Sequence, residues 1–313
     1  MNFDELFGHL GQHTVDGLAK GSIYALVALG YTLVYGVLKL INFAHSEVFM
    51  VGTFTVLGVW SLLGATDNPA LGTVVLLLVA GLLGAAVASG LTAVAVERIA
   101  YRRLRRLNAP PLIFLITAIG LSLVMSEAFG LWQGRLVVGA PNVFQREVLF
   151  SVGGTEVTNI QLLTVFAAVL MMVGLDVFIN RTRYGRGVRA VAQNPDTAAL
   201  MGVNKDRVIA LIFLLGGLLA GAAALLWVVR YGNTRFNVGF ILGLKAFTAA
   251  VLGGIGNLRG ALLGGLLLGV VEVYAATLTQ SNWEDVAAFI VLVIVLLFRP
   301  TGLLGESLGR ARA

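Results

Sequence analysis

Residues 71–107 read LGTVVLLLVAGLLGAAVASGLTAVAVERIAYRRLRRL, an apolar run followed at once by a cluster of arginines. A helix needs about 20 apolar residues to cross the hydrocarbon core of a bilayer. Residues 71–96 carry no charged side chain, whereas residues 97–107 carry five arginines and one glutamate. Because Lys and Arg collect in cytoplasmic loops, the stretch predicts a transmembrane helix that ends on the cytoplasmic side.

The composition extends this prediction to the whole chain of 313 residues. Hydrophobic residues make up 58% of it and charged residues 12%, whereas soluble domains carry about 25% charged residues. We therefore expect a single transmembrane domain over residues 1–313. The net charge of +6 comes from basic residues between apolar runs, which is typical of a chain that lies in a lipid bilayer and not of one that binds nucleic acid. The chain has no cysteine, which excludes disulfides, thiolate catalysis and cysteine-ligated metals.

Eight more apolar segments predict an all-α, polytopic membrane protein with about eight to nine membrane segments. They cover residues 17–38, 43–64, 112–132, 159–180, 208–229, 241–256, 260–278 and 285–299. Residues 251–265, VLGGIGNLRGALLGG, are unusually rich in glycine. Glycines let helices approach closely, but irregular backbone at membrane depth survives where it lines a polar cavity. Residues 241–278 thus form either two tightly packed crossings or a re-entrant pair of half-helices.

The loop charges predict the orientation. Three basic regions are expected in the cytoplasm, namely 97–107, 181–207 and a tail with Arg299, Arg310 and Arg312. Segments 133–158 and 279–285 are poor in Lys and Arg and are expected outside. Counting crossings back from these loops places the N-terminus outside and the C-terminus in the cytoplasm.

Several polar residues interrupt the apolar segments and are candidates for a substrate path. They are Asn42, His45, Ser46, Glu47, Glu127, Lys245 and Glu272. Ionisable groups inside a membrane are costly and usually face a bundle interior or water. Three readings stay open for residues 42–47: side chains that snorkel at the cytoplasmic interface, a structural hydrogen-bond cluster, or groups that contact substrate or gate the path. Lys245 could pair with either Glu127 or Glu272.

The basic loop 181–207 contains a predicted short helix of about two turns. Asn194 can cap it, Pro195 suits its first position, and Asp196 complements its positive end. The helix continues through Ala198, Ala199 and Leu200, and Gly202 is a typical terminator. Such a short helix is unstable alone, so it needs a surface to dock on. That surface is either lipid or the bundle itself, or a cytoplasmic partner.

Signatures of catalysis are absent from the sequence. It has no G-x-x-x-x-G-K-[ST] phosphate loop, no H-E-x-x-H and no G-x-S-x-G motif. Its only histidines are His9, His13 and His45. We expect no catalytic residue, no metal site and no cofactor bound by this chain. If ATP drives transport, another subunit must hydrolyse it.

Four motifs in order resemble the branched-chain amino acid ABC transporter permeases. They are INFAHSEVFMVGTF at 41–54, RYGRGVRAVAQNPDTAALMGVNKDRV at 183–208, KAFTAAVLGGIGNLRGALLGG at 245–265 and FRPTGLLG at 298–305. The resemblance implies an importer subunit of the bacterial inner membrane. Its partners would be a second, related permease, two cytoplasmic ATP-binding subunits that use ATP and Mg²⁺, and a periplasmic solute-binding protein. Residues 194–202 would then dock on the ATPase. The family usually has glycine between the His and Glu of the first motif, where this chain has Ser46.

Other functions compete with this reading. Similar permeases carry urea, short amides or other amino acids, so the resemblance leaves the solute open. A stand-alone secondary transporter or channel would need coupling carboxylates, for which Glu47, Glu127 and Glu272 are available, but it would have no use for a docking helix. A membrane enzyme would need clustered His, Asp or Ser at one face.

Overall fold

The computed structural model describes Leu6 and residues 8–279 and 283–305, most of which are helical. The helices are α1 Leu10–Leu38, α2 His45–Leu62, α3 Leu71–Val96, α4 Arg102–Arg106, α5 Pro111–Gln133, α6 Asn159–Arg181, α7 Arg183–Gln193, α8 Pro195–Leu200, α9 Lys205–Tyr231, α10 Val238–Gly253, α11 Leu258–Leu278 and α12 Glu284–Phe298. A π-helical turn, Glu97–Tyr101, joins α3 to α4. Of the predicted tail, Arg310 and Arg312 lie outside the described residues, as do positions 280–282 of the predicted outer segment.

Local sequence sets several helix ends. Thr158 and Gln161 form a reciprocal capping box at the start of α6, and Pro111 occupies the first position of α5. The side chain of Asn204 caps α9, which ends at Gly232 with a φ of +63°. Gly254 and Gly256 adopt φ of +105° and +100°, so the glycine-rich stretch interrupts the helical backbone between α10 and α11.

A multi-pass helical membrane protein is confirmed by these elements. Among the described residues, six helical stretches are long and apolar enough to cross a membrane: Leu10–Leu38, Leu71–Arg106, Pro111–Gln133, Asn159–Arg181, Lys205–Tyr231 and Leu258–Leu278. Three more helices coincide with predicted segments but are shorter, with 18 residues in α2, 16 in α10 and 15 in α12.

Helix α1 is the centre of the bundle. It is buried along most of its length and packs against α6, α9, α10 and α11. Glycines allow the closest of these approaches, because a Cβ atom on Gly265 of α11 would lie 2.6 Å from the Cα of Ala25 in α1. On the α1 side, a Cβ on Gly21 would lie 2.4 Å from the carbonyl oxygen of Gly265. Close backbone contact of this kind holds helices together where lipid removes the usual hydrophobic drive.

The outer helices present apolar side chains to their surroundings. Helix α3 exposes a stripe at helical spacing, formed by Leu76, Val79, Leu83, Val87 and Leu91. Contiguous apolar surface of this extent marks a membrane-facing side. The polar residues of the chain are accordingly collected in the bundle interior and at its two ends.

The connections gather at two opposite ends of the bundle. At one end, β1 Val138–Gly139 pairs with β4 Asn233–Thr234, and β2 Val148–Val152 forms a hairpin with β3 Thr155–Thr158. The backbone N–H of Asn142 donates to Asp67 at 2.6 Å and joins the 63–70 loop to the same end. The sequence predicted only an outer loop over residues 133–158, and the strands within it were not predicted.

The basic loops assemble at the other end. Asp206 at the start of α9 accepts a hydrogen bond from Arg105 at 3.0 Å, and buried Glu97 accepts from the same guanidinium at 2.7 Å. Arg259 forms a 3.3 Å ion pair with Asp176 near the end of α6. The backbone N–H of Leu303 donates to the carbonyl of Leu252 at 2.8 Å, which fastens the chain after α12 to the end of α10.

Candidate functional site

The polar motif before and within α2 lies in the bundle interior. Asn42, His45, Ser46 and Glu47 are exposed by only 2%, 2%, 3% and 0%, which does not fit side chains that snorkel to an interface. Asn42 accepts a hydrogen bond from the Tyr101 hydroxyl at 3.1 Å. The imidazole of His45 packs against Gly30, where a Cβ would lie 2.1 Å from Nε2. Both residues therefore have structural contacts of their own.

Glu47 is buried and forms no ion pair with any residue that the structure describes. Its Oε1 accepts a hydrogen bond from Ser122 Oγ at 3.1 Å and lies 3.3 Å from Ser46 Oγ. Its Oε2 has no hydrogen-bond partner among the described residues, and a Cβ on Gly239 would lie 3.0 Å from it. Burying a charged group without a counter-ion costs folding free energy. Glu47 is therefore a candidate for a functional residue.

A cavity of about 230 Å³ adjoins Glu47 between α1, α2, α5 and α10. Its walls are mostly apolar, with hydroxyl groups at one side, and consist of Tyr31, Phe43, Ser46, Ile119, Ser122, Leu123, Phe240 and Leu244. Ser46 and Ser122, which hold Glu47, form part of that wall. The exposed side chains Ile119, Leu123 and Phe240 surround the open side.

Lys245 and Glu272 belong to a second polar cluster. Lys245 Nζ pairs with Glu272 and Asp285 and lies 3.4 Å from Glu284. Lys20 of α1 also pairs with Glu284 and lies 3.2 Å from Glu272. The cluster therefore ties together α1, α10, α11 and α12. Its three carboxylates lie close enough to hold a cation, but two ammonium groups already sit among them.

The sequence did not single out Lys20, Glu284 and Asp285. A lysine inside the first apolar segment was a usable signal, because charges at that depth seek a partner. Two acidic residues at the start of the last segment were a weaker signal, since acids are common in the first turn of a helix.

Glu127 lies apart from both clusters. It is exposed and pairs with Arg135. Of the two glutamates predicted as partners of Lys245, the one that pairs with it is therefore Glu272. A second cavity, of about 240 Å³, lies beside Lys245 at the connection between α9 and α10. Trp227, Asn233, Arg235 and Asn237 contribute to its lining.

The short helix of the basic loop has the predicted local structure. Asn194 Oδ1 accepts from the backbone N–H groups of Asp196 and Thr197 at 3.1 and 3.0 Å. Pro195 starts α8, and Gly202 follows its end with a φ of +83°. The amphipathic helix α7, which precedes it, was not predicted.

Helix α8 presents apolar side chains outwards at the basic end. Ala198 is its one buried residue, while Leu200 and Met201 are exposed by 88% and 81%. Ala199 is exposed as well. The backbone N–H of Val203 donates to the carbonyl of Ala198 at 3.0 Å, so the helix is held in place while its apolar end stays uncovered.

A bundle of membrane-length helices with polar groups and small cavities inside defines a polytopic membrane transport protein. Residues 13–296 match the family model described as the branched-chain amino acid transport system permease component. The chain belongs to this family, as the four motifs predicted. Members are permease components of transport systems and not enzymes.

Relatives along the whole chain have the same description. The chain is 42% identical over 301 residues to the high-affinity branched-chain amino acid transport permease BraD of Pseudomonas aeruginosa, covering 95% of this chain and 96% of the relative. It is 40% identical over 307 residues to LivH of Escherichia coli, covering 96% and 97%. A fructose import permease of Rhizobium meliloti is 31% identical over 42% of this chain and 39% of its own length. No solved structure matches the chain significantly.

Proposed function

We propose that this chain carries branched-chain amino acids across the bacterial inner membrane as one permease subunit of an ABC importer. Both full-length relatives described above bear the name of that solute class, whereas the relative named for a sugar matches less than half of the chain. The exposed apolar end of α8 supports the need for a partner. ATP and Mg²⁺ are used by two cytoplasmic subunits, and this chain binds neither.

The arrangement of the two ends supports the proposed orientation. Arg102, Arg105 and Arg106 surround Asp206 at the end that also carries α8, so the positive-inside rule assigns that end to the cytoplasm. The N-terminal end of α1 then lies outside, and the segment after α12 lies inside.

The chain crosses nine times in this proposal, through α1, α2, α3, α5, α6, α9, α10, α11 and α12. The connection that leads into α10 enters the bundle before the helix begins. Thr234 bonds to Thr53 within α2 at 2.6 Å, and the Phe236 carbonyl accepts from Ser126 within α5 at 3.1 Å. These contacts support an extended segment that dips between helices before α10 begins, with its backbone groups paired by side chains as membrane depth requires.

The mechanism we infer is alternating access. A periplasmic binding protein delivers the solute to the outer face, and a second, related permease completes the bundle. ATP-driven closure of the ATPase pair moves α8, which reorients the helices and releases the solute inside. The path runs along α2, α5 and α10, past Ser46 and Glu47. Asn42 and His45 support its inner wall, and the pair Lys245–Glu272 lies farther along α10. Glu127 lies near the outer end of α5.

If α8 docks on the ATP-binding subunits, a charge on its apolar end should weaken that association. Leu200→Arg places a charge on the uncovered apolar end, which cannot be desolvated against a partner. We expect co-purification of the ATP-binding subunits to fall at least tenfold and leucine uptake to fall with it, while membrane insertion is unchanged. Ala199→Arg, one residue earlier, is expected to act in the same direction.

Leu149→Arg is the matched control, because Leu149 is exposed on the hairpin at the opposite end. It makes the same chemical change and is expected to leave the ATPase association intact. Normal association and uptake in Leu200→Arg would reject the docking role and favour a helix that lies on lipid.

A further inference from the structure

We propose that the cavity beside Glu47 is the subsite that recognises the amino acid, with the α-ammonium group at the Ser46 and Ser122 hydroxyls in front of Glu47 and the branched side chain against the apolar walls. This inference rests on the proposed function and adds to it the chemistry by which the permease itself selects its solute. It follows from the composition of the cavity and from the unpaired state of the carboxylate.

The polar side of the cavity is suited to a donor. A hydroxyl group donates one hydrogen bond and can accept two. Ser122 donates to Glu47 at 3.1 Å, and Ser46 donates to the Phe43 carbonyl at 2.7 Å. Both serine oxygens thus keep acceptor capacity, and the carboxyl group of Glu47 lies behind them. A primary ammonium group, with three donors and one positive charge, matches this set.

The remaining walls are suited to a branched hydrocarbon. Phe43, Ile119, Leu123, Phe240 and Leu244 supply aromatic and branched aliphatic surface around a space of about 230 Å³. At roughly 30 Å³ per water molecule in the liquid, that space corresponds to roughly eight waters, which suits a small amino acid. The apolar walls offer few partners to the hydroxyl groups of a sugar. Apolar walls with a few placed polar groups are the usual form of a small-molecule site.

Glu47 forms no ion pair in the described part of the chain. Its position in the first turn of α2 lets the helix dipole offset some, but not all, of the desolvation cost. The two lysines of the interior are engaged elsewhere, with Glu272, Glu284 and Asp285. A cationic solute group would supply the missing counter-charge when it arrives.

Helix α10 gives the subsite a means of opening. Gly239 and Gly243 rest on the first turn of α2, where Cβ atoms would lie 2.3 Å from the Ser46 carbonyl oxygen and 2.3 Å from Ser46 Cβ respectively. Phe240 and Leu244, which follow these glycines, line the cavity. A shift of α10 relative to α2 therefore changes the apolar wall and the access to Glu47 together.

The test is photolabelling of the assembled complex with a diazirine analogue of leucine, followed by peptide mapping. We expect label on the peptides that contain Leu123, Phe240 or Leu244. Excess leucine should compete, and so should isoamylamine, which keeps the ammonium group. 4-Methylpentanoate, which keeps only the carboxylate, should not compete. In Glu47→Gln we expect labelling to fall at least tenfold and competition by isoamylamine to disappear.

Two controls keep the result interpretable. Glu156→Gln makes the same change at an exposed glutamate of the outer hairpin and is expected to label normally. Ser122→Ala is a milder second variant that should weaken labelling several-fold if Glu47→Gln fails to assemble. Unchanged labelling in these site variants, label elsewhere, or equal competition by the amine and the acid would overturn the subsite. If the wild-type complex takes up no leucine, the proposed function fails instead.

Discussion

Gly265→Ala is expected to abolish the folded permease, although it adds only one methyl group. The new Cβ would lie 2.6 Å from the N, Cα and Cβ atoms of Ala25 in α1. Backbone atoms cannot rotate away as a side-chain end can. Helix α1 cannot retreat either, because α6, α9 and α10 hold its other sides. Overpacking of this kind costs about 3 kcal/mol, and the damage falls on the central helix.

Gly174→Ala is the matched control, since a Cβ at Gly174 in α6 meets nothing within 4 Å. The same substitution there improves helix propensity by up to about 1 kcal/mol. Size-exclusion chromatography of the fluorescently tagged proteins in mild detergent measures how much of each variant is folded and monodisperse. We expect a monodisperse peak for Gly174→Ala and its loss for Gly265→Ala. Equal peaks for the two variants would mean that α1 and α11 are not in backbone contact.

The helices could be predicted from the sequence because the membrane leaves few alternatives. A long apolar run must satisfy its backbone internally, which makes it helical. The arginines after residue 97 did not predict where the helix ends, because the helical stretch continues through them to Arg106. The hairpin β2–β3 could not be predicted in this way, because its strands have only five and four residues and β2 is exposed on both faces. Helix α7 was missed because a loop rich in arginine masks its two buried valines, Val188 and Val191.

The candidate site was predictable only in its charged members. Glu47, Lys245 and Glu272 stand out because a charge within an apolar segment needs an explanation. Ser122 and Tyr31 do not stand out, since hydroxyl residues are ordinary in membrane helices, yet they line the cavity beside Glu47. Which charges meet is a question of long-range packing. The sequence offered Lys245 two carboxylates, and only the crossing of α10 with α11 selects Glu272.

Lys245→Met is expected to cause a second large loss of folding stability, because it removes a buried positive charge. The substitution keeps the length and apolar stem of the side chain but removes one of two ammonium groups among three carboxylates. Glu272 is fully buried. It would keep the hydrogen bond from the Tyr24 hydroxyl at 3.2 Å, but among the described residues its one remaining cation would be Lys20, which lies 3.2 Å away and also pairs with Glu284. Breaking a buried pair by removing one partner costs about 3–5 kcal/mol, because the remaining charge stays desolvated.

Lys205→Met provides the comparison at an exposed pair. Lys205 lies 3.4 Å from Asp196, and their side chains are exposed by 52% and 90%. Such surface pairs contribute about 0–1 kcal/mol, so this variant is expected to melt like the wild type. Thermal unfolding in detergent, followed by tryptophan fluorescence, should show a midpoint lower by roughly 5 °C or more for Lys245→Met alone.

The double variant Lys245→Met with Glu272→Gln separates charge from packing. Glu272→Gln removes the carboxylate that Lys245→Met leaves undercompensated, so the double variant is expected to be more stable than Lys245→Met alone. This recovery is a coupling between the two positions, which additive effects cannot produce. A double variant that melts below both single variants would mean that the two side chains act mainly by filling space. The charges joining α1, α10, α11 and α12 would then have no stabilising role in the bundle.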